Sequence, residues 1–205
     1  MSPVSPHRKA ITHLRKTDPV MADVIAQVGS CTLLPRTEWT HFDALVRSIV
    51  YQQLSGKAAA TIHGRVLTLI GEGAGAPQRI VATQHESLRA AGLSTAKANY
   101  VRNLAEHALD GSLPVDSLHE LSDDDAIAAL TQVKGIGRWS AQMFLMFRLG
   151  RPDVLPELDL GVQKGIQKAY RLRKLPTPVQ VLRRGRKWAP YRTVAAWYMW
   201  RILEV

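Results

Sequence analysis

Helix signals recur along the whole chain and strand signals do not, which restricts the fold more than any other feature of this sequence. The apolar residues Phe42, Leu45, Val46, Ile49 and Val50 have the i, i+3, i+4, i+7, i+8 spacing of a helix with one buried face. No segment shows the sustained alternation of apolar and polar residues that is typical of a half-buried strand. We therefore expect an all-α fold.

Capping residues indicate where several of these helices begin. Asp18 followed by Pro19 predicts an N-cap with proline at the first helical position. Thr83 and Glu86 have the spacing of a capping box, and the glycine-rich residues 71–77 predict a surface loop. We expect about ten helices joined by short turns, in the segments 19–28, 42–50, 56–70, 84–91, 98–108, 122–131, 138–149, 160–171, 177–187 and 191–203.

The positive charge of the chain is concentrated near its C-terminus. The 205 residues include 27 Lys and Arg against 17 Asp and Glu, a net charge of +10. Eleven of the basic residues lie between 160 and 203, where there is no Asp or Glu. Such a segment is typical of a surface that contacts a polyanion, although a solvated basic face that maintains solubility has the same composition. Three prolines interrupt the segment, which disfavours a membrane-bound amphipathic helix.

Composition excludes several other classes of protein. The longest apolar runs, 127–130 and 194–200, are far shorter than the roughly 18 residues of a membrane span. The first ten residues are polar and basic and do not resemble a secretory signal, so we expect a cytoplasmic, nucleoid-associated protein with no membrane partner. Cys31 is the only cysteine, which excludes an intramolecular disulfide, an iron–sulfur cluster with four thiolates and a cysteine-rich zinc site. We expect Cys31 to be a small buried residue.

A turn with two glycines joins two of the expected helices. Gly135 and Gly137 permit a tight hairpin, with Ile136 between them packed into the helix pair. The N–H groups at the start of the second helix would point outward and suit a phosphate oxygen. Lys134 and Arg138 flank this anion site.

The whole segment 130–141 resembles the helix-hairpin-helix motif, which binds the DNA backbone without reading the base sequence. Its second helix continues with the small pair Ser140 and Ala141, as the motif does. The alternative is a generic turn between two helices.

Asp159 follows the hairpin by about twenty residues and immediately precedes the basic segment. Dissociative cleavage of an N-glycosidic bond develops positive charge on the deoxyribose, which one carboxylate can stabilise while it activates a water molecule. The alternative is that Asp159 is simply the N-cap of the helix that begins at Leu160, and the two roles are compatible.

From about residue 40 to the C-terminus, the order and spacing of these features resemble the helix-hairpin-helix-Gly/Pro-Asp superfamily of DNA glycosylases. The segments 49–55, Ile-Val-Tyr-Gln-Gln-Leu-Ser, and 188–193, Trp-Ala-Pro-Tyr-Arg-Thr, resemble the 3-methyladenine DNA glycosylase II branch. The resemblance implies a two-lobed helical fold with the DNA cleft between the lobes. The expected lobes are residues 41–150, a middle lobe that ends in the hairpin, and residues 1–40 plus 151–205.

The resemblance also implies roles for particular side chains. Asp159 would be catalytic, and either Gln53 or Leu54 would be the wedge that fills the gap left by the flipped base. The base pocket would include Trp139, Tyr191 and Gln52, with Met143 at a position where some relatives have a pocket tyrosine. Contacts to the DNA backbone are expected from Lys134, Gly135, Ile136, Gly137, Arg138, Ser140, Lys164 and Arg192. Trp197, Tyr198 and Trp200 are assigned to the core.

Two departures from the wider superfamily bear on mechanism. Members that also cut the sugar-phosphate chain usually have a lysine where this chain has Trp139, so a monofunctional enzyme that uses water is implied. Many members carry an iron–sulfur cluster that this chain lacks the cysteines to bind, and we expect no cofactor beyond a monovalent cation at the hairpin carbonyls, as in some relatives.

The expected function is therefore the hydrolytic release of alkylated purines from duplex DNA by a monomer. Electron-rich aromatic rings attract such positively charged bases, which are already good leaving groups. One alternative is a glycosylase for uracil, hypoxanthine or oxidised bases. Others are a non-catalytic helix-hairpin-helix module that binds DNA, and a basic structural protein of the nucleoid.

Overall fold

A computed structural model describes residues 6–205 of the chain. Residues 1–5, which belong to the expected second lobe and to the polar stretch of the first ten residues, lie outside the described residues. Within that range every regular element is helical and no strand occurs, which confirms the all-α prediction. The α-helices are α1 (Arg8–Thr17), α2 (Pro19–Val28), α3 (His41–Tyr51), α4 (Gly56–Ile70), α5 (Ala76–Ala82), α6 (His85–Ala90), α7 (Thr95–Leu109), α8 (Asp123–Thr131), α9 (Arg138–Phe147), α10 (Leu160–Ala169), α11 (Pro178–Gly185) and α12 (Arg192–Arg201). Short 3₁₀ turns lie at Val115–Ser117 and Arg186–Trp188.

The chain forms two compact units, whose boundaries differ slightly from those of the expected lobes. One unit is Arg36–Phe144, and the other combines the chain up to Pro35 with Leu145–Val205. The second boundary falls inside α9 rather than in a loop.

In the unit 36–144, α7 is the central helix, since it packs against α3, α5 and α6. All five apolar residues of the α3 stripe, from Phe42 to Val50, are buried, as the spacing predicts. Thr40 caps α3 by accepting a hydrogen bond from the N–H of Asp43. Asp43 in turn accepts from the N–H of Gly73 at 3.1 Å, which attaches the glycine-rich loop to this core.

In the other unit, α10 packs against α12, and α2 contacts α1, α10 and α12. Asp18 is the N-cap of α2, as predicted, and its side chain accepts from the N–H of Val20 at 3.1 Å. Trp197 and Tyr198 lie in the core of this unit, also as predicted. Cys31 is buried, and this burial raises the pKa of its thiol to about 11, so the thiol stays protonated at neutral pH.

Two helices were not predicted from the sequence, and one predicted cap is wrong. The helix α1 is largely polar and buries only Ala10 and Leu14, and α5 begins within the glycine-rich stretch. The hydroxyl of Thr83 donates to the carbonyl oxygen of Arg79, in the last turn of α5, so Thr83 does not cap α6. Gln84 is the N-cap residue of α6.

Among residues 6–205, no helix combines the length and the apolar character that crossing a bilayer requires.

Candidate active site

The predicted hairpin is present between α8 and α9, and Gly135 at its tip has to be a glycine for two reasons. Its φ of 85° lies in the left-handed region. A Cβ at this position would also lie 2.2 Å from Cδ2 of Tyr100 on α7, which is far inside van der Waals contact. The sharp turn and the tight packing on α7 therefore both exclude a larger residue.

The other residues of the hairpin are disposed as the motif requires. Ile136 is buried, whereas Lys134, Gly137 and Arg138 are exposed. The N–H of Ala141 donates to the carbonyl of Gly137 at 3.0 Å, so α9 starts directly after the second glycine, with Ser140 in its first turn. The N–H groups in the first turn of a helix point along its axis and can bind an anion.

A second exposed turn lies beside the hairpin and carries the three predicted residues at 52–54. Gln52 ends α3, and its side-chain amide donates to the carbonyl oxygen of Gly135 at 2.8 Å. Gln53 has a φ of 55°, which is unusual for a residue other than glycine. Gln53 and Leu54 are both exposed, as a wedge would have to be.

Asp159 is the N-cap of α10, and it is half-buried. Its Oδ1 accepts hydrogen bonds from the N–H of Val162 at 2.7 Å and from Nε1 of Trp200 at 2.8 Å. The N-cap role anticipated as an alternative is therefore real. The indole N–H adds a second donor, so the orientation of the carboxylate is fixed by two groups.

Trp200 was assigned to the core, but it is only partly buried, and its indole N–H donates to the carboxylate of Asp159. Phe147 stacks on this ring with a centroid separation of 5.7 Å and an interplanar angle of 24°. Gly161 admits the indole, since a Cβ there would lie 2.7 Å from Cδ1 of Trp200 and 3.0 Å from Oδ1 of Asp159. Phe147 and Gly161, like Trp200, were not identified as site residues from the sequence.

Tyr191, the predicted pocket residue, lies at the opposite end of α12 from Trp200. It precedes the first residue of α12, and its ring makes an edge contact with His13 of α1 at a centroid distance of 5.4 Å. Nine residues of α-helix extend about 13 Å. The structure therefore does not bring Tyr191 to the carboxylate of Asp159, and the aromatic ring found there is that of Trp200.

The remaining predicted site residues differ in their surroundings. Trp139 is 44% exposed on α9, with the half-buried Met143 one turn further on the same face. Lys164 is exposed on α10. Arg192 forms a two-pronged ion pair with Asp153, in which Nε and a terminal nitrogen lie 2.7 and 2.8 Å from its oxygens. Its guanidinium thus anchors the start of α12 rather than presenting an open charge for a phosphate.

Within the described range of residues, no three His, Cys, Asp or Glu side chains come together in a way that could hold a metal ion.

Comparison with known proteins identifies relatives of this chain in sequence and in fold. Residues 46–191 match the model of the HhH-GPD superfamily base excision DNA repair proteins. The chain is 38% identical over 162 residues to DNA-3-methyladenine glycosylase 1 of Schizosaccharomyces pombe, covering 78% of this chain and 71% of the relative. It is 29% identical over 168 residues to DNA-3-methyladenine glycosylase 2 of Escherichia coli, covering 78% of this chain and 56% of the relative.

Solved structures show the same fold. The crystal structure of a DNA-3-methyladenine glycosidase from Bacillus halodurans superposes with a TM-score of 0.85 at 38% identity, covering 98% of this chain and 90% of that one. The S. pombe 3-methyladenine DNA glycosylase, solved in complex with abasic DNA, superposes with a TM-score of 0.79 at 34% identity, covering 96% and 97%. Because the family model spans more than half of the sequence and the helical hairpin is present, the chain belongs to the HhH-GPD superfamily of base excision DNA repair proteins.

Proposed function

We propose that this chain is a monofunctional DNA glycosylase of base excision repair. It hydrolyses the N-glycosidic bond of alkylated purines, of the 3-methyladenine and 7-methylguanine type, after they are flipped out of duplex DNA, and it leaves an abasic site. The observation that carries the proposal is the carboxylate of Asp159, held by the N–H of Val162 and the indole of Trp200. The names of the relatives support the substrate class.

Asp159 stabilises the charge that develops as the base departs. When the glycosidic bond lengthens, positive charge builds on the deoxyribose, and an oriented carboxylate lowers the energy of that state. The same carboxylate accepts a proton from the water that attacks the sugar. Both donors bind Oδ1, so the carboxylate does not have to reorganise during the reaction.

Trp200 has a second role as a wall for the flipped base. An N-alkylated purine is positively charged, and the face of an indole ring attracts a cation. Such a base is already a good leaving group, so the site needs no strong general acid. Trp139 and Met143 are further candidates for pocket residues, and Trp139 stands where bifunctional relatives have the lysine that attacks the sugar.

The DNA backbone is bound by the hairpin, with Lys134, Arg138 and Ser140, and by the basic segment, with Lys164 as one contact. Gln53 is our candidate for the wedge, since it is exposed and its backbone has the left-handed conformation that this turn imposes. A monovalent cation at the hairpin would bind carbonyl oxygens that already accept hydrogen bonds. The carbonyl of Val133 accepts from the N–H of Ile136, and the carbonyl of Gly135 accepts from the side chain of Gln52. Action as a monomer in the cytoplasm, at the nucleoid, belongs to the same proposal.

The test is base release from duplexes that each contain one lesion, followed by alkaline cleavage at abasic sites. The panel consists of 3-methyladenine, 7-methylguanine, uracil, hypoxanthine and 8-oxoguanine, with wild type and Asp159→Asn. We expect release from the methylated duplexes, reduced by about a hundredfold or more in Asp159→Asn while DNA affinity is kept. The control Asp124→Asn removes an exposed carboxylate from α8 and should retain activity. Release of uracil, hypoxanthine or 8-oxoguanine alone would contradict the substrate class, and DNA binding with no release would favour a non-catalytic module.

A further inference from the structure

Lys97, in the first turn of α7, is bound to the end of α3. Its ammonium group donates to the carbonyl oxygens of Val50 at 2.7 Å and of Gln52 at 2.6 Å. The last carbonyls of a helix have no partner within the helix and carry the negative end of its dipole, so a cation is favourable there. Lys97 is half-buried, and desolvation lowers its pKa below the ordinary value.

The same face of α7 also holds the hairpin. Lys97, Tyr100 and Asn103 are spaced by three residues, which places them on successive turns of one side of the helix. The ring of Tyr100 supports Gly135, and Oδ1 of Asn103 accepts from the N–H of Lys134 at 2.9 Å. One helix face thus fixes two exposed segments, the turn at 52–54 and the phosphate-binding hairpin.

These two segments are also joined directly, because the side chain of Gln52 donates to the carbonyl of Gly135 at 2.8 Å. The turn, the hairpin and α7 therefore form a closed set of contacts. Within this set Gln53 is held at a φ of 55°. A residue other than glycine keeps such a conformation only when its surroundings impose it.

We propose that Lys97 is a positioning residue for base flipping. It fixes the position of the turn that carries Gln53 relative to the hairpin. This inference rests on the proposed function. When the hairpin grips the backbone phosphates, the rigid link places Gln53 to enter the duplex at the lesion. Without the ammonium group, two carbonyls at the end of α3 lose their donor, and the turn can relax away from the position that insertion requires.

The position of Lys97 argues against a role as a nucleophile in strand cleavage. Its ammonium group is held by two carbonyl oxygens, and attack on a sugar would require it to leave both. Borohydride trapping with abasic DNA tests this point, since a covalent adduct that Lys97→Met loses would overturn the positioning role.

The main experiment compares the rate of release of a base-paired lesion with that of an unpaired lesion, which can leave the helix without a wedge. Single-turnover release of 7-methylguanine is measured from a fully paired duplex and from a duplex in which the lesion sits in a single-nucleotide bulge. We expect Lys97→Met to slow release from the paired duplex by about tenfold or more, and to change release from the bulge by less than about threefold. Lys97→Arg, which keeps two donors, should restore most of the rate. Lys16→Met removes an exposed charge from α1 and should leave both rates unchanged.

A double-mutant cycle distinguishes an effect of Lys97 on the position of Gln53 from a general loss of structure in the variant. If Lys97 acts through the turn, Lys97→Met should have little further effect on the paired duplex once Gln53→Ala has removed the wedge. Equal losses on the paired and bulged substrates, or fully additive losses with Gln53→Ala, would overturn the proposal.

A flipping measurement keeps the two proposals distinguishable. The fluorescence of 2-aminopurine placed next to an abasic-site analogue reports unstacking by the protein and needs no bond cleavage. If wild type releases none of the lesions, the proposed function fails, whereas unchanged 2-aminopurine fluorescence in Lys97→Met would overturn the role of Lys97.

Discussion

The indole nitrogen of Trp200 donates to Oδ1 of Asp159 at 2.8 Å, and this oxygen also accepts from the backbone N–H that begins α10. The carboxylate is thus held by a helix start and by a side chain from the end of a different helix. A hydrogen bond to a charged group is stronger than one between neutral groups. The orientation of Asp159 should therefore depend on Trp200 to a measurable extent.

Trp200→Phe is expected to reduce base release by about ten- to hundredfold, because it removes a hydrogen bond to a charged group worth about 1.5–3 kcal/mol and keeps an aromatic wall. Single-turnover rates on a methylated duplex measure the effect. The matched control is Trp197→Phe, one turn earlier on α12. The ring of Trp197 is buried, and within residues 6–205 it makes no hydrogen bond to Asp159. A larger loss of activity in the control, at equal thermal stability, would argue against this role of Trp200.

Gly161→Ala should mainly reduce the rate of base release, with a smaller effect on the free energy of unfolding. Its Cβ would meet Cδ1 of Trp200 at 2.7 Å and Oδ1 of Asp159 at 3.0 Å, so the indole has to move away from the carboxylate. Gly64→Ala in α4 is a suitable comparison, because a Cβ there meets nothing within 4 Å and alanine favours a helix by up to about 1 kcal/mol. Equal base release by Gly161→Ala and wild type would show that the enzyme tolerates a displaced Trp200.

Gly135→Ala tests the packing of the hairpin on α7. Both a φ of 85° and the overlap with the ring of Tyr100 oppose a Cβ at this position. Gly111→Ala separates the two effects, since Gly111 has a φ of 79° but open space around its Cβ position. We expect the Gly111 variant to lose about 1 kcal/mol of unfolding free energy. The Gly135 variant should lose clearly more and bind undamaged duplex more weakly, as measured by denaturant unfolding and by fluorescence anisotropy.

The sequence was sufficient for elements whose signals are local. The stripe of α3 and the cap at Asp18 involve neighbouring residues, and the structure confirms both. The helix α1 was missed because it buries only two side chains and therefore lacks an apolar stripe. The helix α5 was missed because three glycines immediately precede it.

The same distinction explains which site residues were found. Asp159 and the hairpin are defined by short runs of sequence. Trp200 and Lys97 form hydrogen bonds to partners 41 and 45 to 47 residues away, so these contacts depend on how α12 and α7 pack. The signature around Tyr191 correctly indicated the family, but the ring that donates to Asp159 is that of Trp200, at the other end of α12.

The stability of the N-terminal helices should depend on the charge of Asp18. Its carboxylate is fully buried and accepts hydrogen bonds from Tyr170, from Trp188 at 2.9 Å and from Lys187, whose ammonium lies 3.0 Å away. Burial by itself would raise the pKa of Asp18, but these three donors and the charge of Lys187 outweigh burial and lower it below the ordinary value. The Lys187 side of this pair is 41% exposed, so the loss depends mainly on the hydrogen bonds to the charged carboxylate, each worth about 1.5–3 kcal/mol. Asp18→Asn should therefore destabilise the protein at pH 7 by an amount in this range.

The sign of the pH dependence follows from the lowered pKa of Asp18. Because the carboxyl binds a proton more readily in the unfolded chain than in the folded one, its contribution to stability is complete above the pKa of the unfolded chain. The contribution is lost as the pH falls through the lower pKa of the folded protein. Urea unfolding of wild type and Asp18→Asn between pH 7 and pH 3 should show a difference in free energy that narrows towards acid. A difference that stays constant across this range would mean that Asp18 contributes through its shape and its hydrogen bonds alone, with no contribution from its charge.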